Sequence, residues 1–105
     1  MENNYEVIFC IVNSGFSDEV MTLARSCGAK GGTVINARGT ANEEAEKKYN
    51  ISIHPEKEII MILVDVKIKE AIFLALNEKL GILTEAQGII FSLPVDDVAG
   101  LKMGL

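Results

Sequence analysis

Glu58-Ile59-Ile60-Met61-Ile62-Leu63-Val64-Asp65 sets an unbroken apolar run between acidic residues, and its reading decides the fold. A short apolar run followed at once by a helical pattern is a strand with apolar side chains on both faces. The helical pattern follows Asp65: Ile68, Ala71, Ile72, Ala75, Leu76 and Leu80 form one stripe, stopped at Gly81.

Working outward, Tyr5 to Val12 reads as a first strand and Asn13-Ser14-Gly15 as the turn after it. Ser17 is the expected N-cap of a first helix, with Asp18 and Glu19 against its positive end. Phe16, Val20, Leu23, Ala24 and Cys27 recur at helical spacing, and Gly28 supplies the stop. Thr33 to Ala37 makes a second strand, and Gly88 to Leu93 a fourth, closed by Pro94. The order is βαββαβ. It predicts an α+β, ferredoxin-like sandwich over residues 1–105, a single domain whose two helices cover one face of an antiparallel sheet.

The other face should then turn polar, yet it does not. The first strand sets Tyr5, Val7, Phe9 and Ile11 on one side and Ile8, Cys10 and Val12 on the other. Soluble monomers rarely leave so large an apolar patch open, so identical subunits are expected to cover it.

Bulk properties narrow the function. With 49% hydrophobic but only 6% aromatic residues, the core is mainly aliphatic. No apolar run is long enough to span a membrane, and Met1-Glu2-Asn3-Asn4 does not open a secretory signal; a cytoplasmic protein without membrane insertion is expected. Cys10 and Cys27 lack metal-type spacing and read as free thiols. A net charge of −5 argues against a nucleic-acid partner.

The segment from Thr40 to His54 is too long for a tight turn. Thr40 and Glu43 form a capping-box pattern, and Glu43–Lys47 and Glu44–Lys48 are favourable helical pairs. Either a solvated charged loop or a recognition loop that orders on binding fits this composition. No enzyme is visible, because the single histidine, His54, has no sequence-evident partner for nucleophilic catalysis. Asp96-Asp97 reads as solvated or capping, Tyr49 as exposed, and no metal site is expected.

Gly28-Ala29-Lys30-Gly31-Gly32-Thr33-Val34-Ile35-Asn36-Ala37-Arg38-Gly39-Thr40 is the one stretch with binding character. Its glycines let backbone approach a ligand, and Arg38 can meet an anion. It is neither a dinucleotide-binding fingerprint nor a Walker loop. With the element order, the long loop and Gly88-Ile89-Ile90-Phe91-Ser92-Leu93-Pro94-Val95-Asp96-Asp97, it closely resembles the P-II signalling proteins over essentially the whole chain.

The resemblance implies a homotrimer with sheets facing inward and an adenine nucleotide in each intersubunit cleft. It also implies a loop, here 40–54, that signals to a membrane transporter or metabolic enzyme. Gly31, Gly32 and Thr33 would lie on the adenine side. Arg38, Gly39 and Thr40 would lie at the loop base near the phosphates. Gln87 and Gly88 would wrap the phosphates, and Lys102 would reach over from the C-terminal tail. Where the family has Gly-Asp-Gly-Lys before the last strand, this chain has Ala86-Gln87-Gly88-Ile89, and Gly100 replaces a tail arginine. Each lost cation removes about 1.5–3 kcal/mol of charge-assisted bonding, which favours AMP or ADP over ATP. The loop also lacks the family's tyrosine motif for nucleotidylation.

Two other classes stand beside this reading. One is a ligand-free trimeric interaction or scaffold protein that has lost the pocket. The other, an acylphosphatase-type enzyme, needs an arginine between the first strand and helix, where Asn13-Ser14-Gly15 has none.

Overall fold

The structure is a computed structural model, and it describes residues 4–40, 47–48 and 55–101. In chain order the elements are β1 (Tyr5–Asn13), α1 (Ser17–Ser26), β2 (Thr33–Arg38), β3 (Glu56–Asp65), α2 (Val66–Leu80) and β4 (Ile89–Pro94). The sheet runs β2-β3-β1-β4, every neighbouring pair antiparallel. This is the α+β, ferredoxin-like arrangement that the apolar patterning predicts.

The alternation of strand side chains divides the residues between two faces. Ile8, Cys10 and Val12 of β1 and Ile60, Ile62 and Val64 of β3 are buried on the helix side. They pack with Val20 and Ala24 of α1 and with Ile72, Leu76 and Leu80 of α2 in a single core. Ala71, expected in that stripe, is exposed at its margin. The register puts Val7, Phe9 and Ile11 on the opposite face, level with Leu63, Met61 and Ile59 on one side and Leu93, Phe91 and Ile89 on the other. Neither α1 nor α2 covers that face. Phe9 and Phe91 stack there with ring centroids 5.0 Å apart, while Ile35, Ile89 and Leu93 remain 43%, 54% and 48% exposed.

The ends of the elements depart from local sequence rules in instructive ways. Ser17 is the first helical residue rather than the N-cap, which is Phe16 and makes no side-chain cap. The Glu58 carboxylate of β3 does that work, accepting from the backbone N–H of Gly15 at 3.0 Å and of Ser17 at 3.3 Å. The other end of α1 follows the expected pattern. Gly28 has φ +109°, its N–H donates to Arg25 O at 3.0 Å, and Ala29 N–H donates to Ala24 O at 3.0 Å, which closes a Schellman motif. Strand β3 starts two residues before the expected Glu58, so it includes Lys57. Pro94 ends β4 from within, which an edge strand tolerates because the missing N–H faces no ladder partner.

The expected capping box at Thr40 and Glu43, with Tyr49 and His54, falls largely on residues 41–46 and 49–54, outside the described residues, as does Lys102. No described helix is long and apolar enough to cross a membrane.

Both cysteines are free thiols. Burial removes water from Cys10 and pushes its pKa from 9.0 up to about 12. The folded state therefore holds the proton longer than the unfolded chain. Stability from this group is complete below pH 9.0 and is lost as pH rises towards 12. Over that window Cys10→Ala should show a shallower loss of denaturant stability than the parent, by about 1.4 kcal/mol per pH unit at most. Cys27 should label with a thiol reagent in the native state, and Cys10 only on unfolding.

Candidate functional site

Two clefts lie at opposite ends of the sheet. The first, about 760 Å³, has the Gly28–Thr33 segment as one wall. Its floor is apolar, from Tyr5, Val7, Met61 and Leu63 on the open face, and Asp65, Lys67 and Ile68 at the start of α2 complete it. Leu101, the last described residue, also lines it. The two glycines at this wall have different reasons to be there. A Cβ on Gly32 would stand 2.9 Å from Met21 Sδ and 3.0 Å from the Met61 carbonyl oxygen, so packing excludes a side chain. A Cβ on Gly31 would meet nothing within 4 Å. The absence of a side chain at Gly31 keeps the cleft open without serving the core.

The second cleft, about 490 Å³, is lined by Asn13, Ser14, Phe16, Glu56, Glu85 and Gln87. Asn13 organises it. This largely buried amide donates through Nδ2 to Glu85 O at 2.9 Å and to Gln87 Oε1 at 3.4 Å, and its Oδ1 accepts from Lys57 Nζ at 2.7 Å. Its backbone N–H donates to Ala86 O at 2.9 Å. Gln87 adopts φ +49°, a left-handed conformation that side chains other than glycine and asparagine seldom take. Gly88 is fixed by packing, since a Cβ there would collide with the Leu80 carbonyl oxygen, which instead accepts the Gly88 N–H at 2.9 Å.

One chain thus divides the eight described residues of the nine expected at the site. Gly31, Gly32 and Thr33 meet in the first cleft. Arg38 pairs in register with Glu56 and Thr33 with Met61, so the two ends of β2 are about 17 Å apart. Arg38, Gly39 and Thr40 therefore share an end of the sheet with Gln87 and Gly88, but on opposite edges. Lys57 bridges these two groups. Its stem packs under Gly39, where a Cβ would lie 3.1 Å from Cε, and its amine reaches Asn13. Sequence reasoning missed Lys57 because it lay outside the expected strand, and missed Asn13 because it reads as a turn residue. Among the described residues no group of three or more potential metal ligands occurs.

A small α+β chain with helices on one sheet face, an uncovered apolar face and clefts at both ends of its edge strands defines the class of protein. The sequence pattern of nitrogen regulatory protein P-II matches residues 6–104, and the chain belongs to that family. P-II family members are regulatory signalling proteins. Among solved structures, Arabidopsis thaliana PII bound to citrate is similar at 22% identity, over 99% of this chain and 86% of that one, with a TM-score of 0.70. A PII-like protein from Thiomonas intermedia K12, bound to ADP, AMP and bicarbonate, is 11% identical over 92% and 96% of the two chains, with a TM-score of 0.68. Bacillus subtilis GlnK in complex with ATP is 16% identical over 90% and 84%, with a TM-score of 0.67. At these identities the likeness is one of fold. No curated protein sequence matches the chain.

The glycine assignments can be separated by substitution. Gly88→Ala should lower denaturant stability by about 1–3 kcal/mol, the range for forcing atoms into a packed site. Gly31→Ala should leave stability within about 0.5 kcal/mol of the parent, as for a substitution in open space.

Proposed function

We propose that this protein is a P-II-type signal transducer that binds an adenine nucleotide in clefts between subunits of a homotrimer. Occupancy is relayed through the segment 40–54 to a transporter or metabolic enzyme in the cytoplasm. The observation that carries the reading is the split site. The Gly31–Thr33 wall and the Arg38–Gln87 end stand apart in one chain, and both border a sheet face that a second copy would cover. Assembly through that face would bring the wall of one chain to the far end of its neighbour, which is how Arg38, Gly39, Thr40, Gln87, Gly88 and Lys102 would join the adenine side. Support for the ligand class comes from the Thiomonas and Bacillus proteins, solved with ADP, AMP and ATP.

The chain's own charges favour a ligand with few phosphates. Glu56 and Glu85 line the Gln87 end, and like charges disfavour a polyphosphate there. AMP and ADP are therefore the expected effectors rather than ATP. The same acidic lining is what favours the alternative, a trimeric scaffold that retains the fold without the ligand.

Two measurements test the proposal. Sedimentation in dilute buffer should give three times the mass of the chain, and a stable monomer would refute the assembly. Titration calorimetry should show AMP or ADP binding at least about tenfold more tightly than ATP, a difference of about 1.4 kcal/mol. Absence of binding by all three nucleotides to a folded trimer would leave the scaffold reading.

A further inference from the structure

The uncovered sheet face ends in a polar row. Alternation along β3 puts Lys57 on the same face as Ile59, Met61 and Leu63, level with Asn13 of β1 and Ala37 of β2. The β1–β4 register, carried on past Ile11 and Ile89, puts Gln87 level with Asn13. Lys57 is the one lysine or arginine among the described strand residues of this face. Its neighbours along β3, Glu56 and Glu58, fall on the helix side, where the Glu58 carboxylate accepts from the start of α1.

Lys57 is half-buried and its charge has no counterion among the described residues, where every salt bridge involves Lys69. Its one hydrogen bond there is to a neutral atom, Asn13 Oδ1, at 2.7 Å. An ammonium group carries three donors, so two are left to give. Partial burial of an unpaired charge is costly, and an anion at this place would relieve that cost. The amine is also held still from both ends. Asn13, 6% exposed, is fixed by its bonds to Glu85 O and Gln87 Oε1. The lysine stem runs against Gly39, where a Cβ would lie 3.1 Å from Cε and 3.5 Å from Cγ, and the Gly39 N–H donates to Pro55 O at 2.6 Å. A side chain ordered in advance loses less freedom when a ligand arrives. The cation is thus set in place between the two edges that carry Arg38 and Gly39 on one side and Gln87 and Gly88 on the other.

We propose that Lys57 supplies the cation that binds a nucleotide phosphate at the Arg38–Gln87 end, with Asn13 as its positioning residue. This rests on the proposed function above and leaves the base at the Gly31 wall of the neighbouring copy. The amine keeps its bond to Asn13 Oδ1 and gives its remaining donors to phosphate oxygens. The row lies at the end of the face that a second copy covers in that assembly, so the phosphate sits in the cleft between copies. Such charge-assisted bonds are about twice as strong as those between neutral groups.

Calorimetry with AMP and adenosine on the full chain tests this, using the parent and Lys57→Met, which keeps an apolar stem against Gly39 and removes the charge. AMP affinity should fall about ten- to a hundredfold in the variant, the range for a hydrogen bond to a charged group, while adenosine affinity holds. Unchanged AMP affinity in a folded variant overturns this inference alone. So does an equal loss for both compounds, which would make the lysine merely structural, and so does a parent that binds adenosine as well as AMP. A second measurement needs no variant: AMP, and not adenosine, should protect Lys57 of the parent from amine acetylation, read by peptide mass spectrometry. Equal labelling with and without AMP at saturation overturns the inference. A parent that binds neither compound overturns it together with the nucleotide reading on which it rests.

Discussion

A sheet that is apolar on both faces, with its two long described helices packed on one of them, is the constraint on which the rest of the molecule depends. Ile8, Cys10, Val12, Ile60 and Ile62 spend their hydrophobicity against α1 and α2. Phe9, Ile11, Met61, Leu63, Phe91 and Leu93 have nothing comparable to meet among the described residues. Fully burying an aliphatic or aromatic side chain is worth about 1.5–3 kcal/mol, so this face is a large store of unused association energy. The same face supplies Val7, Met61 and Leu63 to the floor of the Gly31 cleft. Covering the sheet and closing the Gly31 cleft are therefore one structural problem.

Much of the fold was legible because its signals are local and periodic. The change from an unbroken apolar run to a 3.6-residue period at Asp65 marks the junction of β3 and α2, and Asp65 caps that helix. Gly28 ends α1 with the left-handed backbone that only a glycine adopts cheaply. What escaped is long-range. The start of α1 carries Ser17 at a fitting position, yet the donors there are satisfied by Glu58, a residue on another element with no local mark of that role. Gly81 ends α2 without a positive φ; a Cβ there would run into the Asn77 carbonyl oxygen.

The candidate site was legible in the same uneven way. Its glycine-rich wall stands out in the sequence, but only the structure separates Gly32, which packing requires, from Gly31, which it does not. Lys30 and Lys67 read as surface lysines in the sequence and line one cleft only because α2 starts beside the Gly28 turn. The acidity of the Gln87 end is likewise tertiary, because Glu56 and Glu85 lie far apart in sequence.

Lys57 gives the molecule a mechanical linkage. Its stem lies against Gly39 at the exit of β2, and its amine is bonded to the same Asn13 whose amide holds Glu85 and Gln87. The root of the segment 40–54 and the turn before β4 thus bear on one side chain, like two arms on a common pivot. Withdrawal of the lysine from Asn13 would leave a largely buried amide oxygen short of its donor, at a cost of about 1–3 kcal/mol. The two edges of the sheet are therefore joined through one pair of side chains, Lys57 and Asn13, across the width of β3 and β1.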